Sequence, residues 1–185
     1  MKKAILLGGY GGQGVQTLGK LLALAFTEAG NKVAFVPDYS GSMRGGISNC
    51  TLIISDEEIS SPLLKDLDIL IALNEGAKHA FESRLVPGGA LIYNMDMVKC
   101  QPERKDILAA GLPATRLAEQ CGSDKAVNVV ILAFFTRLLG LIPVSVVKKT
   151  VESELNSAKP HFAELNERAF TTGIEAAEKF LRQTE

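Results

Sequence analysis

"LLGGYGGQGVQTLGK" occupies residues 6–20 and sets glycine at 8, 9, 11, 12, 14 and 19. The apolar run Lys3–Leu7 in front of it is short and closed by glycine, the pattern of a buried strand. Behind it, Val15, Leu18, Leu21, Leu22, Ala25, Phe26 and Ala29 recur on one helical face, with Gly30-Asn31 as the stop. Lys32–Val36 then reads as a second strand. Strand, glycine turn, helix and strand make a βαβ unit with a right-handed crossover.

Further units follow. Cys50–Ser55, Asp68–Leu73 and Gly89–Asn94 are strand-like, a helix is expected over Glu75–Leu85, and Leu112–Ala118 reads as one more short strand. Ser123–Leu139, Pro143–Leu155 and a segment from about Pro160 onward are helical, with Ser123 or Asp124 as a cap and Pro143 near a first turn. Gly173 lies on the apolar stripe of the last helix, which suggests close packing there. The expected fold is α/β: a Rossmann-like open, mostly parallel sheet with helices on both faces and C-terminal helices, as a single domain over residues 1–185.

Composition narrows the function. Hydrophobic residues make up 46% of 185 positions, which fits a globular chain. Twenty basic residues balance 21 acidic ones, so no general field favours nucleic acid or an anionic membrane. The apolar run Val129–Phe135 falls well short of the roughly 20 residues a membrane span requires and reads as a core helix. The apolar run after Lys2-Lys3 ends at Gly8, too soon for a signal peptide. Cys50, Cys100 and Cys121 are scattered and form no CxxC pair, so neither an iron–sulfur cluster nor a structural zinc site is expected, and free thiols in the cytoplasm are. His79 and His161 fall on helices without neighbouring ligands, so no metal site and no catalytic residue is assigned.

Gly9-Tyr10-Gly11-Gly12-Gln13-Gly14 satisfies G-x-G-x-x-G between a strand and a helix. Such a loop lets the main chain approach an anion and aims helix N–H groups at it. A dinucleotide would want an acidic residue after the second strand. Asp38 stands 24 positions beyond Gly14, behind Pro37 where that strand should end, which is a poor match for NAD. No Walker lysine follows Gly14. The second connection, "PDYSGSMRGGISNC" at residues 37–50, places Arg44 beside Gly45 and Gly46, a guanidinium fork suited to phosphate or carboxylate. In a doubly wound sheet the connections after the first two strands leave near one edge, so both loops frame one crevice. Cys50 reads as a small buried strand residue.

The paired loops resemble those of the gamma subunit, or gamma domain, of the 2-oxoacid:ferredoxin oxidoreductases, which act on pyruvate, 2-oxoisovalerate or 2-oxoglutarate. The likeness extends through "ISSPLLKDLDILIAL" (59–73), "VPGGALIYN" (86–94), "AVNVVILAFFTRLLGLI" (126–142) and "LNERAFTTGIEAA" (165–177), nearly the whole chain. "RGGISNCT" leans toward the 2-oxoglutarate branch. One departure lies in the second loop, where Ser40 follows Tyr39 and glycine comes only at Gly41.

The resemblance implies a non-catalytic subunit of a cytoplasmic complex. Thiamine-binding alpha and beta subunits and an iron–sulfur, ferredoxin-like subunit would carry thiamine diphosphate and the clusters. No Gly-Asp-Gly…Asn-Asn segment for a thiamine-linked magnesium occurs in this chain. Its own role would be assembly and contact with coenzyme A. The candidate binding residues are Gly9, Gly11, Gly12, Gln13, Gly14, Tyr39, Arg44, Gly45 and Gly46, with Gln13 at the subunit face. The residues themselves leave two alternatives: a stand-alone NAD(P)-dependent oxidoreductase, or a nucleotide-binding module. The isolated chain is expected to self-associate through surface made for partners.

Overall fold

A computed structural model of the chain describes residues 2–38, 47–60 and 65–184. The chain resolves into two compact units, Met1–Leu112 and Pro113–Glu185.

The first unit contains β1 (Lys2–Tyr10), α1 (Val15–Glu28), β2 (Lys32–Asp38), β3 (Ile47–Ser55), β4 (Leu67–Ala72), α2 (Glu75–Phe81), β5 (Leu85–Asn94) and β6 (Leu108–Leu112). The six strands form one sheet in the order β2-β3-β1-β4-β5-β6. β1, β4, β5 and β6 run parallel, whereas β3 is antiparallel to both β1 and β2. The mostly parallel sheet expected from the sequence is therefore present, with one difference. β2 runs in the direction of β1 but does not adjoin it, because β3 is inserted between them.

Pairing fixes which helix covers which face. Leu7 lies opposite Cys50, and the Cys50 thiol meets α1, where a Cβ on Gly19 would come 2.5 Å from its Sγ. The next residue, Gly8, points the other way: a Cβ there would lie 2.8 Å from the Ala77 Cβ of α2. The alternation of β1 thus sends Ile5 and Leu7 toward α1, and Ala4 and Leu6 into a cluster with Leu70, Ala72, Ala77 and Leu91 on the α2 side. Cys50 is a packed strand residue as expected, and burial pushes its thiol up to about 12.

Two local expectations fail for physical reasons. β2 continues through Pro37 because it is an edge strand, where a missing N–H costs no ladder bond. The segment read as a strand over Leu112–Ala118 instead ends β6 and begins α3 (Ala114–Gln120). Pro113 cannot extend a ladder, and the run behind it is rich in helix formers. β6 itself, "LAAGL", has little intrinsic strand preference. It is held by pairing with β5, and Gly111 leaves the space that Tyr93 fills, with the ring Cζ only 2.6 Å from where a Cβ would stand.

The second unit holds α3, α4 (Val127–Leu139), α5 (Val144–Val151) and α6 (Ala163–Thr184). Ser123 caps a 3₁₀ turn at Asp124–Ala126 that leads into α4, and Pro143 stands at the N-cap of α5. A π-helical turn, Glu152–Asn156, closes α5 short of the expected Leu155. Val129–Thr136 are all buried, so α4 is the centre of this unit rather than a span. Among the described residues no helix is long and apolar enough to cross a membrane. α6 lies against α4 with Phe134 and Phe180 edge to face at 6.1 Å.

Candidate functional site

β1 ends at Tyr10, and residues 11–14 connect it to α1. The glycines of this stretch have different tasks. Gly8 and Gly9 are packing positions: a Cβ on Gly9 would meet Gln13 Oε1 and Val15 Cγ2, both at 2.9 Å. Gly12 and Gly14 adopt φ of +91° and +73°, where a side chain is strained. Gly11 and Gly12 are exposed, and a Cβ on either would find nothing within 4 Å. Among the described residues the Gly11 and Gly12 N–H groups have no hydrogen-bond partner. Of the described glycines between Gly8 and Gly19, these two alone turn bare main chain to open space.

The start of α1 suits an anion. Gly14 is the N-cap, no side chain caps the helix, and no acidic residue occupies its first turn. Gln16 Nε2 donates to Asn49 O at 2.9 Å, fastening this turn to β3.

Gln13 does not face outward as expected. Its Oε1 accepts from Tyr10 N at 2.6 Å and from Asn74 Nδ2 at 2.8 Å. Asn74 Oδ1 in turn accepts from Ala77 N and caps α2. Leu73 N donates to Gly8 O at 2.8 Å. One buried amide thus joins the glycine loop to the connection after β4, a bond that sequence spacing did not reveal. Asn74→Ala is expected to lower stability by about 1–3 kcal/mol, from the lost cap and the loosened clamp. Asn74→Asp keeps the cap acceptor but sets a carboxylate against Gln13 Oε1. Urea denaturation of both variants separates the two contributions.

The other half of the expected crevice is Tyr39, Arg44, Gly45 and Gly46, which lie outside the described residues. Its flanks are described. Tyr10 pairs with Ile47 and Asp38 with Asn49, so β1 and β2 deliver their connections to the same edge of the sheet. With β3 between them, the two exits stand two strand spacings apart, about 10 Å. Asp38 Oδ2 accepts from Asn49 Nδ2 at 3.1 Å, a position within the sheet rather than one reaching for a ribose.

The histidines differ from the reading of the sequence in one case. His161 lies against the Phe162 ring, with centroids 4.2 Å apart. His79, expected to lack neighbouring ligands, stands 3.6 Å from the Cys100 thiol and shares a helix face with Glu75.

Comparison with known proteins decides the family. Residues 4–176 match the family described as Pyruvate ferredoxin/flavodoxin oxidoreductase. The chain belongs to that family. This oxidoreductase-family chain is 34% identical over 182 residues to the 2-oxoglutarate synthase subunit KorC of Methanothermobacter marburgensis, covering 95% of one and 96% of the other. It is 33% identical over 134 residues to the ketoisovalerate oxidoreductase subunit VorA of Methanothermobacter thermautotrophicus. That match takes in 72% of this chain but only 28% of VorA, so the chain spans little more than a quarter of those relatives. The solved gamma subunit of a keto/oxoacid ferredoxin oxidoreductase from Geobacter sulfurreducens superposes with a TM-score of 0.85, 28% identity, and coverage of 97% and 98%. The α/β fold also recurs, at a TM-score of 0.86 and 22% identity, in 31% of a 2-oxoglutarate:ferredoxin oxidoreductase chain from Magnetococcus marinus solved with 2-oxoglutarate, coenzyme A and succinyl-CoA bound.

Proposed function

We propose that this chain is the gamma subunit of a 2-oxoacid:ferredoxin oxidoreductase, and that its edge loops hold the phosphates of coenzyme A. The observation that carries the first part is the end-to-end correspondence with KorC, which a shared loop motif alone would not give. Thiamine-binding and cluster-bearing subunits are its partners, and 2-oxoglutarate is the substrate class that the KorC likeness favours. The cytoplasm is its compartment, in keeping with three free thiols. For the second part, support comes from the open main chain at Gly11 and Gly12, the uncapped start of α1, and the common edge from which Arg44's segment departs.

The test is reconstitution with the alpha, beta and ferredoxin-like chains, reading ferredoxin reduction against 2-oxoacid and coenzyme A. Omitting this chain is expected to abolish coupled turnover; full activity without it overturns the subunit reading. Arg44→Ala is expected to weaken coenzyme A binding by about 1.5–3 kcal/mol. Gly11→Ala is expected to change stability by less than about 0.5 kcal/mol, since the position is open and its φ is ordinary. It should nevertheless raise the KM for coenzyme A. If both variants retain normal coenzyme A kinetics in an active complex, the loops are not the coenzyme A site and the subunit assignment stands.

A further inference from the structure

α2, which starts one residue past the Asn74 clamp on the glycine loop, meets the connection between β5 and β6, and carboxylates bind the two together. Glu75 Oε2 accepts from the backbone N–H of Lys99 at 2.9 Å and of Cys100 at 3.2 Å. One turn later on α2, His79 turns Nε2 toward Cys100 Sγ at 3.6 Å. Ligand atoms of Glu75, His79 and Cys100 all lie within 4.8 Å of one another. His79 Nδ1 stands 3.3 Å from Glu103 Oε1.

We infer that Glu75, His79 and Cys100 form a zinc-type divalent metal site that clips α2 to the β5–β6 connection. The chemistry is a mixed sulfur, nitrogen and oxygen set, which selects zinc over the hard cations magnesium and calcium. The spacing fits. A thiolate at about 2.3 Å and an imidazole nitrogen at about 2.05 Å from a tetrahedral zinc lie about 3.5 Å apart, close to the separation of Cys100 and His79. The surroundings fit as well. Glu103 occupies the place of the outer carboxylate that holds a ligating imidazole in the right tautomer. The backbone N–H donors fix Glu75 through one oxygen, so its other oxygen can turn to the metal. Lys78 reaches Glu82 at 2.8 Å and Glu103 at 3.9 Å, and Lys99 turns its Nζ to the Met95 carbonyl, so two carboxylates share the Lys78 charge while Glu75 and a Cys100 thiolate remain as anionic ligands. The His79 side chain is 52% exposed, leaving a fourth position to water.

Cobalt titration of the full-length reduced chain tests this. One equivalent of Co²⁺ is expected to produce a thiolate-to-cobalt charge-transfer band and the visible bands of a four-coordinate ion, both displaced by one equivalent of Zn²⁺. Cys100→Ser is expected to abolish the charge-transfer band, while Cys50 and Cys121 remain buried and silent. His79→Ala should weaken Zn²⁺ at least tenfold, and Glu103→Gln about tenfold. These side chains are not core residues, so retained far-ultraviolet circular dichroism is expected for all three variants. No thiolate band in the parent chain, or a band that survives in Cys100→Ser, overturns the site.

Discussion

Replacing Lys78 with methionine is expected to destabilise the protein by about 3–5 kcal/mol at neutral pH. The ammonium is fully buried, and its 2.8 Å contact with Glu82 is an ion pair that runs from α2 to the residue capping its C-terminal end. Methionine keeps most of the apolar stem, so the loss comes from the charge left behind on a buried Glu82. That carboxylate also receives the N–H groups of Glu103 at 2.6 Å and Arg104 at 3.0 Å, which dock the β5–β6 connection. Burial alone would raise the Glu82 carboxyl, but the Lys78 bond and those two N–H donors outweigh it and hold the group below its ordinary 4.5. A lowered folded value means that the contribution is complete above 4.5 and is lost as pH falls through the depressed value. Without Lys78 the chief opposing interaction is gone, and burial favours the protonated acid. The penalty of Lys78→Met should therefore shrink as the solution is acidified. Lys78→Met/Glu82→Gln retains an acceptor for both N–H groups without a charge and should recover more than about half of the loss. Urea denaturation at neutral and acidic pH measures all of this. A single-variant effect within about 0.5 kcal/mol, typical of a surface change, would mean that the ammonium already reaches water.

The parts legible in the sequence were those set by local periodicity. The 3.6-residue face from Val15 to Phe26 and the glycine-closed apolar run before it specify β1 and α1 by themselves. The insertion of β3 was not legible. Strands read as ending at Val36 and starting at Cys50 leave residues 37–49 between them, room enough for a parallel crossover. Both strands in fact run further, β2 to Asp38 and β3 from Ile47, and the short connection left between them allows only an antiparallel return. β6 was hidden for another reason: alanines and a glycine become a strand only when β5 and the Tyr93 ring are already in place.

At the site, sequence could count glycines but not assign their tasks. Gly8 and Gly9 make room for α2 and for Gln13, whereas Gly11 and Gly12 face open space, and only tertiary contacts separate these cases. The inward turn of Gln13 depends on Asn74, a residue 61 positions away. The cluster at His79 was half legible. Glu75 and His79 share a helix face by spacing alone, but Cys100 arrives through a connection whose path is set by carboxylates binding its backbone.

Gly173→Val is expected to cost more than about 4 kcal/mol, and Gly173→Ala about 1–3 kcal/mol, as overpacking of the α4–α6 contact. A Cβ at this position would overlap the Val130 carbonyl oxygen and stand 2.7 Å from the Ala133 Cβ. The first obstacle is main chain within a buried helix and cannot rotate aside, so the two helices must separate. The alanine variant is the sharper test because two effects oppose each other. In an exposed helix, glycine to alanine stabilises by about 1 kcal/mol through propensity alone. Here the close approach should reverse that sign. Phe134, which meets Phe180 on the same pair of helices, would lose part of its edge-to-face contact if α6 moved outward. Thermal denaturation of the full chain distinguishes the outcomes: a lowered midpoint for alanine and a larger fall for valine follow from helix contact at Gly173. A raised midpoint for alanine would show that propensity dominates and that the two helices are held apart by their larger side chains.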